Sequence, residues 1–272
     1  MDNTFCRLSL ILILTGFSLV SCFEDTTYRD AEYPDQLIYM PAAVSGNGQF
    51  VIDNLPTVRG ELPFEGSPYR YVVDMDKREF RVPLSVYRSG IDNSGAFTVN
   101  INVNTDVIST INVGRADPYL LIPSDKYSLV NSVEMKNGDE TALFELVVDL
   151  DLLRGNFPDK IFALGVEISS TQRERNENRC TTAVIIHTKM VKPTADFSYL
   201  DNTSQEHYID FENSSLMSLD YQWNFGDGTA VSGEKSPSHK YSSSGTYTVT
   251  LTAIGITGEE DKSVKTIDIT VP

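Results

Sequence analysis

The chain has 272 residues and a formal net charge of −16, from 22 Lys plus Arg against 38 Asp plus Glu. So acidic a surface disfavours nucleic acid and anionic lipid headgroups, since both demand basic patches. The length suffices for two ordinary domains, each able to bury its own core.

The first predicted element is an apolar run from Leu8 to Val20, preceded by Arg7. It is shorter than the roughly 20 residues of a membrane span and has the layout of a secretory signal. Leu19-Val20-Ser21-Cys22 follows. This stretch resembles the lipobox of bacterial lipoproteins. The resemblance implies cleavage between Ser21 and Cys22, a signal peptide over residues 1–21, and a lipid on the Cys22 thiol. Two kinds of acyl chain then hold the protein on a membrane. The alternative is an ordinary cleaved signal with an incidental Cys22. Phe23-Glu24-Asp25 resembles the acidic export signal of lipoproteins in glycan-foraging Gram-negative gut bacteria, which implies an outer-membrane, cell-surface location. A solvated acidic tether is the other reading. Asp25-Thr26-Thr27 also resembles a short O-glycosylation motif of those bacteria. Residues 22–35, acidic and polar up to Pro34, read as lipidated cysteine and flexible tether.

Residues 36–190 read as all-β. Phe80, Val82, Leu84 and Val86 alternate with Arg81, Pro83 and Ser85, and Phe97, Val99, Ile101 and Val103 alternate with Thr98, Asn100 and Asn102. Period-2 alternation marks strands with one buried face. Phe144-Leu146-Val148 and Phe162-Leu164-Val166-Ile168 repeat it. Ser89-Gly90 and Asn93-Ser94-Gly95 predict a hairpin connection between the first two strands. Short helical turns are expected at 106–111 and 124–127, and no long amphipathic helix anywhere. Cys6 leaves with the signal and Cys22 takes the lipid, so Cys180 stands alone as a buried structural thiol. The core then rests on burial without an internal disulfide.

Val191-Lys192-Pro193-Thr194 marks the domain boundary, with the proline interrupting strand pairing. Beyond it, Leu219, Tyr221, Trp223 and Phe225 share one strand face, and Asp227-Gly228 supplies a turn. Gly245-Thr246-Tyr247-Thr248-Val249-Thr250-Leu251-Thr252 alternates without a fault, threonines outward. Trp223-Asn224-Phe225-Gly226-Asp227-Gly228-Thr229, Ser238-His239-Lys240-Tyr241 and Gly245-Thr246-Tyr247-Thr248-Val249 together resemble the polycystic kidney disease (PKD) domain over 194–272. The resemblance implies an immunoglobulin-like sandwich used as spacer or interaction module, with Trp223 in its core. It implies a turn role for Asp227, with calcium binding a minor alternative seen in some relatives.

Residues 36–190 also carry a fainter resemblance. Val86-Tyr87-Arg88-Ser89-Gly90, the Phe97–Val103 strand with Asp106, Leu121-Ile122-Pro123-Ser124-Asp125-Lys126-Tyr127 and Phe162–Ser170 resemble a DUF1735-like domain of unknown function. That domain is common at the N-termini of glycan-utilisation surface lipoproteins. Relatives often continue into a sugar-binding or endoglycosidase-like module, whereas a PKD domain follows here. The expected fold is therefore all-β, two tandem immunoglobulin-like β-sandwich domains after a lipoprotein signal and flexible tether.

No residues are assigned to catalysis, metal or cofactor binding. Asp74/Asp76 and Asp149/Asp151 are two apart on predicted strands, the spacing of acid–base or calcium pairs, yet solvated acids suffice to explain them. His187, His207 and His239 lack zinc spacing. Arg173–Arg179 reads as a solvated loop. Exposed tyrosines are the natural glycan-stacking groups, with Tyr28, Tyr33, Tyr69, Tyr71 and Tyr119 near loops or the tether. Three readings of function follow. The first is a non-catalytic lipoprotein binding polysaccharide or assisting outer-membrane glycan-uptake proteins. The second is a structural or adhesive spacer making protein contacts, and the third, most remote, a glycan hydrolase.

Overall fold

Strand alternation sorts the first domain into two layers. The computed structural model describes residues 36–44, 46–55 and 71–272. In chain order the first domain holds β1 (Leu37–Tyr39), β2 (Gln49–Ile52), β3 (Val72–Asp74), β4 (Glu79–Arg88), β5 (Phe97–Val103), α1 (Thr105–Ile111), β6 (Leu120–Leu121) and β7 (Tyr127–Leu129). It continues with β8 (Ser132–Met135), β9 (Thr141–Asp149), α2 (Leu150–Gly155), β10 (Ile161–Ser169), β11 (Glu174–Arg175) and β12 (Thr181–His187). The first sheet runs β11-β1-β4-β9-β7, with β3 also on β4; the second runs β2-β12-β10-β5-β8, with β6 also on β10. Phe80, Val82, Leu84 and Val86 of β4 meet Phe97, Val99 and Ile101 of β5 and Phe162, Leu164 and Val166 of β10 in one shared core. Cys180 is buried in that core as a free thiol.

The two sheets differ on their outer faces. α1 lies across the second sheet, and Ile108 packs with Tyr119, Ala163, Ala183 and Ile185. β10 and β12 are thus buried on both faces, which explains their near-continuous apolar runs. Asn104 caps α1, its side-chain oxygen accepting from the backbone N–H groups of Asp106 and Val107. Its backbone N–H donates to the Gly165 carbonyl at 2.9 Å. A Cβ at position 165 would stand 1.9 Å from the Asn104 carbonyl oxygen, so only glycine lets the helix entry seat on the sheet.

The hairpin expected between β4 and β5 is not formed. β4 pairs with β9 and β5 with β10 and β8, so the connection crosses from one sheet to the other. Arg88, 1% exposed at the end of β4, holds this crossing connection. Its guanidinium donates to the carbonyls of Ser94 (3.1 Å), Gly95 (3.0 Å), Lys136 (2.8 Å) and Asp139 (2.5 Å). Both loops wrap around this fork, and Gly90 and Gly95 take positive φ within the first of them. Residues 106–111 do lie in a helix, while 124–126 form a turn and Tyr127 already starts β7. The second helix, α2, was not expected.

The second domain holds β13 (Phe197–Asp201), β14 (Tyr208–Asn213), β15 (Asp220–Asn224), β16 (Ser238–Lys240), β17 (Gly245–Gly255) and β18 (Gly258–Val271). Its sheets are β13-β14-β16 and β15-β17-β18. Trp223 is fully buried between them, 5.0 Å from the Phe197 ring and 5.3 Å from Phe211, and its Nε1 donates to the Glu234 carbonyl at 3.0 Å. Tyr241, also buried, donates its hydroxyl to the Phe225 carbonyl at 3.1 Å. Both domains are thus tandem immunoglobulin-like β-sandwiches.

Two outcomes are expected. Gly165→Ala forces α1 off the second sheet, and overpacking of this kind costs at least 1–3 kcal/mol; a fall in urea midpoint with new dye-accessible apolar surface is the readout. Arg88→Met leaves four loop carbonyls without their donor, for a loss of about 3 kcal/mol by urea unfolding. Arg88→Lys does not restore it, because a single ammonium cannot serve a fork of four acceptors.

Candidate functional site

The residues singled out in the sequence are almost all occupied in holding the fold. Asp74 ends β3 and Asp76 lies in the turn beyond it, so they do not share a strand face. Asp74 binds Arg81 at 3.0 Å. Asp149 and Asp151 are likewise not a strand pair: Asp149 caps α2 by accepting from the Asp151 backbone N–H at 2.8 Å, and Asp151 lies in the helix's first turn. Their two-residue spacing is that of a capped helix start. Lys126 reaches Asp149 at 2.7 Å, and its hydrogen bond holds the Asp149 carboxyl below its usual range.

In the second domain, burial works against the charged form of Asp227, yet the Thr229 hydroxyl and the His239 ring hold its pKa below the ordinary value. Thr229 donates from N and Oγ1 at 3.1 and 2.6 Å, and His239 Nε2 lies 2.7 Å away, its ring stacked 3.9 Å from Phe225. Asp227 is therefore a turn and strand clamp. Trp223 is core. Among the described residues no group of three or more His, Cys, Asp or Glu is placed to hold a metal ion, and no helix is long and apolar enough to cross a membrane. In the Arg173–Arg179 loop, β11 pairs with β1 and Arg175 binds Glu167 at 2.7 Å, so this run is tied into the sheet. Tyr71 and Tyr119 are buried rather than exposed: Tyr71 stacks 4.9 Å from Phe80, and Tyr119 lies under the Arg115 guanidinium at 4.0 Å. Ser21, Cys22, the tether, Tyr28, Tyr33 and Tyr69 lie outside the described residues.

The junction between the domains is ion-paired. Arg154 of α2 donates to both Asp261 oxygens at 2.5 and 2.9 Å and reaches Glu260 at 3.0 Å. Arg78, held at a positive φ of 60°, donates to Glu260 at 2.7 and 2.9 Å and to Asp151 at 2.5 Å. Lys192 lies 3.5 Å from Asp261. Behind these charges, Met217 and Ile256 pack on the first domain's core, and the Thr257 hydroxyl donates to the Val191 carbonyl at 3.3 Å. Gly255 permits the approach, since a Cβ there would be 2.9 Å from the Met217 carbonyl and 3.0 Å from the Pro193 ring.

The outer face of the first sheet has no helix over it among the described residues. Register places its outward side chains in rows: Tyr39–Tyr87–Thr141, then Ser85–Leu143, Pro83–Glu145, Arg81–Val147 and Glu79–Asp149. The half nearer the second domain is charged and internally paired, with Arg81 on Glu79 at 2.7 Å. The other half is aromatic and apolar. The Tyr39 and Tyr87 rings sit 5.2 Å apart at 51°, both half-buried, and Leu143 is 72% exposed. The Tyr87 hydroxyl donates to Glu140 at 3.1 Å, and Asn93 donates to the same carboxylate at 3.2 Å. In the sequence, the parity of Phe80, Val82, Leu84 and Val86 already turns Tyr87 outward, whereas nothing local marks Tyr39. By contrast, a cleft of about 590 Å³ is lined by the single polar stretch Ser169–Arg175 with Glu177 and has no aromatic lining.

Both resemblances seen in the sequence are met by family models. The PKD domain model matches residues 190–271, and a model described as an N-terminal domain matches residues 35–175. A 78-residue stretch is 40% identical to Collagenase ColA of Bacillus cereus, covering 28% of this chain and 8% of that collagenase, so the chain spans under a tenth of the curated relative it matches. The PKD1 domain of Vibrio anguillarum Epp is similar at 28% identity, over 29% of this chain and 93% of that one, with a TM-score of 0.26. A multidomain protein including DUF1735 from Bacteroides ovatus is similar at 13% identity, over 88% of this chain and 68% of that one, with a TM-score of 0.38. A candidate carbohydrate-binding protein from the same species reaches 0.40 at 8% identity, over 86% and 70%.

The junction generates two expectations. Trp223 is the single tryptophan, so its fluorescence follows the second domain while far-UV dichroism follows both. Arg154→Ala leaves Asp261, 9% exposed, with Lys192 as its remaining cation, at a cost of about 3 kcal/mol to the interface. The fluorescence and dichroism midpoints, coincident in the parent, then separate. The second expectation concerns acid. Arg78 holds the Asp151 and Glu260 carboxyls below their usual range, and Arg154 does so for Asp261 against the opposing effect of burial. Depressed folded values add stability that is complete above about pH 5 and is lost as pH falls through about 4 and below. Midpoints measured between pH 6 and 3 should separate in the parent as they do in the variant.

Proposed function

Because this chain belongs to the family whose N-terminal domain fills residues 35–175, here followed by a PKD domain at 190–271, we propose that it is a non-catalytic, lipid-anchored surface protein that binds glycan or serves a glycan-uptake system. The observation that carries the reading is the open, partly aromatic outer face of the first sheet. Tyrosine offers a sugar an apolar ring and a hydroxyl together. Asp74, Asp149 and Asp151, whose spacing matched acid–base pairs, are engaged in ion pairs and a helix cap. In this proposal Cys22 carries the lipid after cleavage at Ser21, and residues 22–35 tether the body to the outer face of the outer membrane. The net charge of −16 favours a protein held near the membrane by its lipid rather than by its surface.

A second reading, a spacer, is favoured by the ion-paired junction. β4 and β18, ten and fourteen residues long, extend about 33 and 46 Å at 3.3 Å per residue. Locked at the junction, two such modules present a stiff arm.

The test uses the chain with Cys22→Ser, run through native gels containing plant, fungal or host polysaccharides. Retardation by at least one glycan without release of reducing ends is the expected result. Uniform mobility across the panel would transfer the weight to the spacer, and turnover would establish a hydrolase. Metabolic labelling with palmitate should mark the parent and not Cys22→Ser, with surface proteolysis of whole cells reporting the exposed face.

A further inference from the structure

We propose that the aromatic half of the first sheet's outer face is a docking strip for a neutral polysaccharide, built by Tyr39, Tyr87, Leu143, Ser85, Thr141 and Glu140. This deepens the glycan-binding reading and rests on it.

The placement follows from strand register. Tyr39 and Tyr87 are direct cross-strand partners on β1 and β4, and Thr141 lies opposite Tyr87 on β9. One step along, Ser85 faces Leu143. Same-face neighbours along a strand are about 6.8 Å apart and adjacent strands about 4.8 Å apart, so the strip is the size of a few sugar rings. Rings and a 72% exposed leucine supply apolar surface, while hydroxyls and a carboxylate border it. A pyranose has the same division, with an apolar C–H face and a rim of hydroxyls. A purely apolar partner would leave Ser85, Thr141 and Glu140 without water or a hydrogen-bonding replacement.

Charge selects among glycans. Glu140 is exposed and tied to Tyr87 and Asn93, two bonds of the roughly four a carboxylate accepts, which leaves capacity for sugar hydroxyls. Glu145 stands on the same face two residues beyond Leu143. Among the described residues, the two inner arginines of β4 are engaged elsewhere. Arg88 is buried on loop carbonyls, and Arg81 is paired with Glu79 and Asp74. The field over the strip is therefore negative and repels uronate or sulfate groups. On the second sheet α1 covers β10 and β12, and the outward residues left exposed on β5 are Thr98, Asn100 and Asn102, without an aromatic ring.

The experiment is affinity electrophoresis of the Cys22→Ser chain, with calorimetry on the polysaccharides that retard it. The panel sets neutral glucans, mannans and xylans against polygalacturonate and heparin. The expected result is retardation by a neutral polysaccharide and not by the anionic ones. Tyr39→Ala/Tyr87→Ala should weaken binding at least tenfold and Leu143→Glu at least threefold, with Glu140→Gln narrowing the preference for neutral over anionic polymers. Leu143 is exposed, so its variant tests the strip even if the double tyrosine variant fails to fold. Wild-type affinity in a folded double variant or in Leu143→Glu overturns the strip while glycan binding stands. Retardation by the anionic polymers alone overturns the neutral class. No retardation of the parent by any polymer overturns the glycan-binding reading itself and the strip with it.

Discussion

Gly165 decides which face of the first domain meets the solvent. With no Cβ there, the Asn104 carbonyl settles against β10, α1 lies down over β10 and β12, and an otherwise exposed row of alanine, isoleucine and tyrosine becomes a second small core. That sheet is then covered on both sides over β10 and β12. The other keeps its outer face free of helix among the described residues, and a surface of tyrosine, leucine and hydroxyl side chains remains there. A sandwich ordinarily shows two polar outer faces. Here a single glycine and a seven-residue helix make them unequal.

A second constraint lies at the junction. The expected boundary at Val191–Thr194 is a covalent join and also a packed one. Val191 is fully buried with the first domain's core, and Gly255 lets the β17–β18 turn reach Pro193. Arg78 and Arg154 then fix the orientation by facing one acidic pair, Glu260 and Asp261. Guanidinium suits this role because its planar fork engages two carboxylates at once. Exposed ion pairs contribute little singly, and the force of the arrangement comes from Arg154 and Asp261, which are largely withdrawn from water behind the apolar contact of Met217 and Ile256.

Burial in both domains works without a disulfide among the described residues. Cys180 is a free buried thiol, and the cores rely on interleaved aliphatic rows in the first domain and aromatic packing around Trp223 in the second. Arg88 shows how a charge enters such a core: its donors reach four carbonyls, so two loops are organised by a residue that a hydrophobic pattern would exclude.

Period-2 alternation by itself determined the all-β class and the inward residues of β4, β5, β9 and β17, because side-chain parity along a strand is a local property. The PKD and N-terminal-domain resemblances were legible for a similar reason, since their motifs are continuous stretches. Pairing was not legible. β4 leaves β5 for β9, and its Arg88 bonds the carbonyls of a loop some fifty residues away, while glycine-rich spacing looks the same whether a turn returns to its own sheet or crosses to the other. The aspartates at 149 and 151 misled because capping and strand alternation share a two-residue spacing. The outward strip was half legible: parity pointed Tyr87 out, but only the register of β1 and β9 against β4 brought Tyr39 and Leu143 beside it. Strand order and inter-domain contact are set by groups distant in sequence, and those only the tertiary structure decided.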